Sequence, residues 1–227
     1  MAMTESPRAP RKPRRPLLTR EAVIEAAARV LQGDGYGGLT MRAIADDLGV
    51  QAPALYWYVA NKEMLELLLY DHLMSGFTVE LTGSDWRDNV RQASRQLRRH
   101  MRGKRDITRI APHDFSLGPN SMAQLEGGLT ILLAGGLSER DAAYAFNMLY
   151  NYVVTWVQGE AEAAQRPVTF EPPRMAAELE VAGGVDPARY PSVAALAPHL
   201  AADDADGRFE FGLECMIAGL EAIAAGG

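Results

Sequence analysis

Apolar residues return along most of this chain every three to four positions, the period of one helix face, and nowhere alternate long enough to mark a strand. From Thr19, a residue suited to an N-cap, Val23, Ala26, Ala27, Val30 and Leu31 form such a stripe, which ends at Gly33. Gly35-Tyr36-Gly37-Gly38 then reads as a loop. Thr40 caps a short helix carrying Ile44, Ala45 and Leu48, stopped at Gly49. A second short helix, over 52–58, takes Pro53 in its first turn, where a missing N–H costs nothing. Asn61 caps a longer helix with Leu65, Leu68, Leu69, His72 and Leu73 on its stripe.

Further helices are predicted over 86–102, 121–134 and 138–162, the last with Ala142, Ala145, Phe146, Leu149, Tyr152, Val153 and Trp156 on one stripe. Residues 166–207 hold six of the thirteen prolines and read as an irregular connection with one or two short helices. A final helix over 208–225 carries Phe209, Leu213, Met216, Ile217, Leu220 and Ile223. The pattern predicts an all-α protein without internal repeats.

Two short helices separated by a glycine turn have the dimensions of a helix-turn-helix. Ala45 is small enough for the two helices to approach, and Gly49 supplies the left-handed turn. Leu48, Val50 and Leu55 then lock the second helix at a steep angle, ready for a major groove about 12 Å wide.

Charge distribution strengthens that reading. The chain carries a net −6, but residues 1–62 hold nine basic and six acidic side chains, a net +3, which leaves −9 on the remainder. A cationic head on an anionic body orients the head toward a polyphosphate. Residues 1–16, with four prolines among basic residues, read as a disordered arm, either a solvated tail or a minor-groove ligand. At 48% apolar and 23% charged, with no run of eighteen apolar residues, no signal-peptide pattern and only Cys215, the composition is that expected of a cytoplasmic globular protein without a membrane span. Cys215, among Leu213, Met216 and Ile217, reads as a buried inert thiol. The four histidines show no metal spacing and no nucleophile elbow is present, so no enzyme, metal or cofactor is expected.

The stretch LTMRAIADDLGVQAPALYWYVANKEML, residues 39–65, resembles the DNA-binding signature of the tetracycline-repressor (TetR) family, most specifically in Leu55-Tyr56-Trp57-Tyr58 followed by Asn61-Lys62. The resemblance runs from residue 18 to about 75. A looser one to the family's C-terminal domain passes through Trp86 and Gly136-Leu137-Ser138 and ends in FEFGLECMIAGLEAI, residues 209–223. It implies an N-terminal three-helix DNA-binding domain (17–65), joined by a long helix to an α-helical ligand-binding and dimerisation domain (66–227). It further implies a ligand-responsive repressor that binds a palindromic double-stranded DNA operator as a homodimer.

By that resemblance Thr40, Arg42 and Lys62 contact phosphates, Gln51, Ala52, Pro53 and Ala54 enter the groove, and Tyr56 and Tyr58 touch backbone or base edges. Leu55 and Trp57 read as packing residues, and the run Arg87, Arg91, Arg95, Arg98 and Arg102 as a solvated face. The dimer is expected to pair the 138–162 helix and the last helix, where Gly212, Ala218 and Gly219 permit close approach. The three polar residues that hold the metal-chelated drug in tetracycline-binding members align with Thr78, Ala93 and Gly128, which argues against a metal-bridged ligand. Leu97, Met101, Ile110, Phe115, Leu125, Leu129, Phe146 and Tyr150, with His113 and Asn147 as polar anchors, are the pocket candidates, though each taken singly reads first as a core residue. Such a lining suits a small apolar or aromatic effector. An activator with the same head, or a helical protein-binding adaptor, is the alternative.

Overall fold

The computed structural model describes residues 18–79, 83, 85–112, 118–164, 186–202 and 204–226. Among them there is no strand, and four of the helices begin where a short polar side chain caps them. Helix α1 (Arg20–Gly38) starts at Thr19, whose Oγ1 accepts from Ala22 N at 3.1 Å. Helix α2 (Met41–Leu48) starts at Thr40, which accepts from Ala43 N at 3.1 Å. Helix α3 (Lys62–Leu73) starts at Asn61, accepting from Met64 N at 2.8 Å. Helix α4 (Trp86–Arg102) starts at Asp85, accepting from Arg87 N at 3.1 Å. Each bond satisfies one of the donors a helix start leaves open.

The chain continues through α5 (Ile107–Ile110), α6 (Pro119–Ala134), α7 (Glu139–Ala164), α8 (Pro191–Ala201) and α9 (Ala205–Gly226). In the head, α1 packs on α2 and α3 around Val23, Ala26, Ala27, Ile44, Leu55 and Leu65, all buried. In the body, α4, α6 and α7 pack on one another, and α9 lies against α7 and α4. Where α4, α7 and α9 meet, Tyr152 and Phe209 stack at 5.4 Å, Trp156 meets Phe209 edge-on at 5.9 Å, and the Arg98 guanidinium lies 4.4 Å from the Phe209 ring centre. The Tyr152 hydroxyl donates to the Phe209 carbonyl at 2.8 Å.

Four expectations are corrected here. The first helix does not end at Gly33: Gly35, at φ 73° and ψ −176°, kinks it, and a further helical turn reaches Gly38. That kink lets Asp106, before α5, accept from Tyr36 N at 2.8 Å. The arginine run is partly in solvent but is not left to it alone. Arg91 and Arg95 make paired bonds of 2.6–2.8 Å to Glu214 and Glu210, and Arg87 pairs with Glu221, which staples α4 antiparallel to α9. Arg98, buried, joins Glu160 of α7 and Asp206. Gly212 serves packing within the chain, since a β-carbon there would lie 2.4 Å from the Tyr152 hydroxyl. Cys215 is exposed rather than buried, because the inward face of α9 is occupied by Phe209, Leu213, Ile217 and Leu220.

Candidate functional site

The turn between the two short head elements forms as its residues require. Gly49 adopts φ 64°, and Val50 N donates back to Ala45 O at 2.9 Å, while Ala45 is buried against the turn. The second element is a 3-10 helix, Ala52–Trp57, with Pro53 in its first turn. It packs on α2, and Leu55 is wholly buried. With Leu55 fixed inward, Gln51, Pro53, Tyr56 and Trp57 are left in solvent, and Ala52, Ala54 and Tyr58 are half-buried. Trp57 is 88% exposed and therefore does not pack, contrary to expectation. Three residues per turn carry it away from the side on which Leu55 is held.

Thr40 and Arg42 stand at the start of α2, with Arg42 91% exposed and only a 4.0 Å contact to Asp46. The side chain of Lys62, at the start of α3, lies 3.6 Å from Glu66 and 4.6 Å from the centre of the Tyr36 ring. Arg29 of α1 holds Asp47 of α2 at 2.6 Å, which neutralises one carboxylate beside the exposed cations. The head thus presents hydroxyl, amide, aromatic and cationic groups together, the chemistry that contacts phosphates and base edges.

A cavity lies in the body between α4, α6 and α7. Val90, Ala93, Ser94, Leu97, Gln124, Gly128, Ile131, Leu132, Phe146, Leu149, Tyr150 and Val153 line it, with Phe77 and Val79 from the segment after α3. Its volume is about 70 Å³, below the roughly 300–1,000 Å³ of drug-sized sites. Of the expected pocket residues, Leu97, Phe146 and Tyr150 are on its wall. Met101 and Ile110 are buried elsewhere in the core, while Leu125, Leu129 and Asn147 are half-buried and off the wall. The Asn147 carboxamide oxygen accepts from Asn151 at 3.0 Å. His113 and Phe115 lie outside the described residues. Gly128 admits the Phe146 ring, which a β-carbon would meet at 2.4 Å. Phe77 and Val79 could not be found by periodicity because they sit in the irregular segment after α3. Leu149 and Val153 were on a recognised stripe, but nothing singled them out.

Four tethers run from this body to α3 and α1. Tyr150 donates to the Tyr70 hydroxyl on α3 at 2.8 Å. Burial pushes the Tyr150 phenol up to about 12 and raises that of Tyr70 as well, so the pair stays neutral. Asp71, also on α3 and buried, accepts from Ser121 N at 2.8 Å and from the Asn120 amide at 3.1 Å, at the start of α6. His100 Nε2 lies 2.9 Å from Leu73 O, at the end of α3. Asp106 and Arg105 grip the end of α1 through Tyr36 N and the Gln32 and Gly33 carbonyls. Among the described residues no group of three or more His, Cys, Asp or Glu side chains is placed to hold a metal ion, and no helix is long and apolar enough to cross a membrane.

An apolar groove opens on the outer side of α7 and α9, lined by Tyr144, Met148, Cys215, Met216, Gly219 and Ile223 among others. Tyr144 and Phe211 are 68% and 74% exposed, more than large apolar side chains of a finished surface usually are.

Comparison with known proteins places these features in a known frame. Residues 23–67 match the model of the bacterial regulatory proteins, tetR family, and residues 80–224 match the model of the tetracyclin repressor-like C-terminal domain. The tetracycline repressor protein class C of Escherichia coli is 33% identical over 214 residues, covering 90% of this chain and 91% of that protein. Apo ActR from Streptomyces coelicolor superposes with a TM-score of 0.81 at 31% identity, over 92% of this chain and 97% of its own. ActR in complex with actinorhodin gives 0.82 at 30% identity, over 91% and 98%.

Proposed function

The chain belongs to the tetracycline-repressor (TetR) family of regulatory proteins, and from that premise we propose that it represses transcription as a homodimer on a palindromic operator, and that a small hydrophobic or aromatic effector releases it. The observation that carries the proposal is the solvent-facing set Thr40, Arg42, Gln51, Pro53, Tyr56 and Lys62 around a helix-turn-helix whose inward residues are fully packed. Thr40, Arg42 and Lys62 hold phosphates, while the segment opened by Pro53 enters the major groove and Gln51 reads base edges. Ala52 and Ala54 offer only apolar contact, suited to a thymine methyl. Tyr56 and Tyr58 complete the contact.

The outer face of α7 and α9 supplies the dimer. A twofold pairing there buries Tyr144, Met148 and Phe211 and sets two recognition segments about 34–36 Å apart, one turn of DNA. The effector occupies the cavity between α4, α6 and α7; that ActR is solved with actinorhodin supports an aromatic ligand. Because the cavity is small, occupancy must move its walls. Tyr150 and the start of α6 are tied to Tyr70 and Asp71, so movement of those walls shifts α3 and with it the head. A coupling of about 1–3 kcal/mol changes operator affinity roughly 5–150-fold.

Selection of bound duplexes from a random pool, followed by gel shift at several salt concentrations, tests this reading. Recovery of an inverted repeat bound in a salt-sensitive, sequence-selective way is the expected result. Binding with no preference over random competitor contradicts it. Gln51→Ala should blur preference at defined operator positions; unaltered selectivity at all of them dismisses its reading role.

A further inference from the structure

We propose that Phe77 is a movable partition between two halves of one effector site, and that the effector is an aromatic acid whose rings enter the apolar cavity while its anionic group rests on Arg99. This deepens the sensor reading above and rests on it.

Phe77 belongs to two spaces at once. On one side it walls the cavity of about 70 Å³; on the other it lines an open groove of about 470 Å³ with Thr78, Arg95, Arg99 and His100. Neither space alone suits a drug-sized ligand. The first is too small, and the second is too open and polar to cover an apolar surface. Moving one ring joins them. Phe77 stands in the turn that ends α3, just after Gly76 at φ 75°, and its ring packs on His100 at 5.3 Å with a tilted geometry. It is half-buried, so no closed core opens when it swings.

The two halves differ in charge chemistry. The cavity wall is apolar apart from Ser94, Gln124 and Tyr150, and the Tyr150 hydroxyl is committed to Tyr70. A carboxylate carried into it would lose its hydration without an opposite charge. The groove has that charge. On α4, Arg91 is matched by Glu214, Arg95 by Glu210, and Arg98 and Arg102 by Glu160. Arg99 is exposed and has no ion-pair partner among the described residues. The His100 Nε2 N–H is directed to Leu73 O. A molecule with an apolar ring system at one end and an acid at the other satisfies both halves, and a neutral one leaves the Arg99 half unused. Displacing Phe77 also pulls on the turn after Leu73, the end of the helix that carries the head.

Calorimetric titration of the full-length protein with anthracene-2-carboxylic acid and with its methyl ester tests the proposal, alongside operator release by each probe. The parent protein should bind the acid about tenfold more tightly than the ester. Arg99→Gln should weaken the acid about tenfold and leave the ester within about twofold, while Arg99→Lys retains most of the preference. Phe77→Ala should speed association of both probes, read by stopped-flow fluorescence. Equal affinity for acid and ester, indifference of the acid to Arg99→Gln, or unchanged association in Phe77→Ala each overturns the proposal. Probes that bind and release operator DNA without regard to Arg99 overturn it while leaving the sensor reading intact. Failure of both probes to bind the parent and the Phe77→Ala protein also overturns the proposal.

Discussion

Replacing Asp71 with alanine removes a carboxylate that ties the helix carrying the head to the first turn of α6. Its side chain is 7% exposed. One oxygen accepts from Ser121 N at 2.8 Å and the other from the Asn120 amide at 3.1 Å. Gly118 passes so close that a β-carbon there would lie 2.1 Å from the Asp71 carboxyl carbon. A hydrogen bond to a charged group contributes about 1.5–3 kcal/mol, and a carboxylate at a helix start adds about 0.3–1 kcal/mol. Alanine also strands the Ser121 N–H. The net expected loss is about 3 kcal/mol, which in a chain of this size lowers Tm by roughly 6–12 °C. Asp71→Asn keeps the shape and one acceptor and should cost about 1 kcal/mol. Urea unfolding followed by far-ultraviolet circular dichroism measures both, at one protein concentration because the stability of the proposed dimer would depend on it. An alanine variant within about 0.5 kcal/mol of the parent would show that the Asp71 carboxylate does not hold α3 to α6.

Three further outcomes follow from the same geometry. Lys62→Ala should weaken every DNA sequence alike and lower the slope of log affinity against log salt by about one; an unchanged slope removes Lys62 from the phosphate contacts. Trp57→Ala should alter stability by no more than about 0.5 kcal/mol, because the ring is in water, yet weaken operator binding; a large stability loss with unaltered DNA affinity would restore it to the core. The Arg91 hydrogen bond holds the Glu214 carboxyl below its ordinary 4.5, so its contribution is present above that value and is lost as pH falls through the lowered folded one. The urea midpoint should therefore fall as the pH drops below 4.5, less steeply in Glu214→Gln, and identical pH profiles would show that the staple contributes nothing.

Much of the fold could be read from local chemistry. The caps Thr19, Thr40 and Asn61 each satisfy a nearby donor, and Gly49 turns the chain as a residue without a side chain can. What escaped depends on distance or on finer geometry. The α9 partners of Arg87, Arg91 and Arg95 lie more than a hundred residues away; the signal was Glu210, Glu214 and Glu221, whose spacings of four and seven put them on one face of the final helix. Trp57 misled because large aromatics are usually packed, and a 3-10 rather than an α-helical turn aims it outward. Tyr70 and Asp71 went unnoticed on a helix read by its leucines. In the body, a stripe says which side chains face inward, but not which of these border a void. Leu97 reaches the cavity while Met101, one turn further along α4, is buried away from it.

Guanine N7 methylation interference on a selected duplex bears most directly on the claim that the segment opened by Pro53 occupies a DNA groove. The account predicts two patches of interference in the major groove, symmetric about a centre and about 10–10.5 base pairs apart, both abolished when Arg42, Gln51 and Lys62 are replaced together. A single patch, binding with no interference at any guanine N7, or interference indifferent to that triple replacement would contradict it.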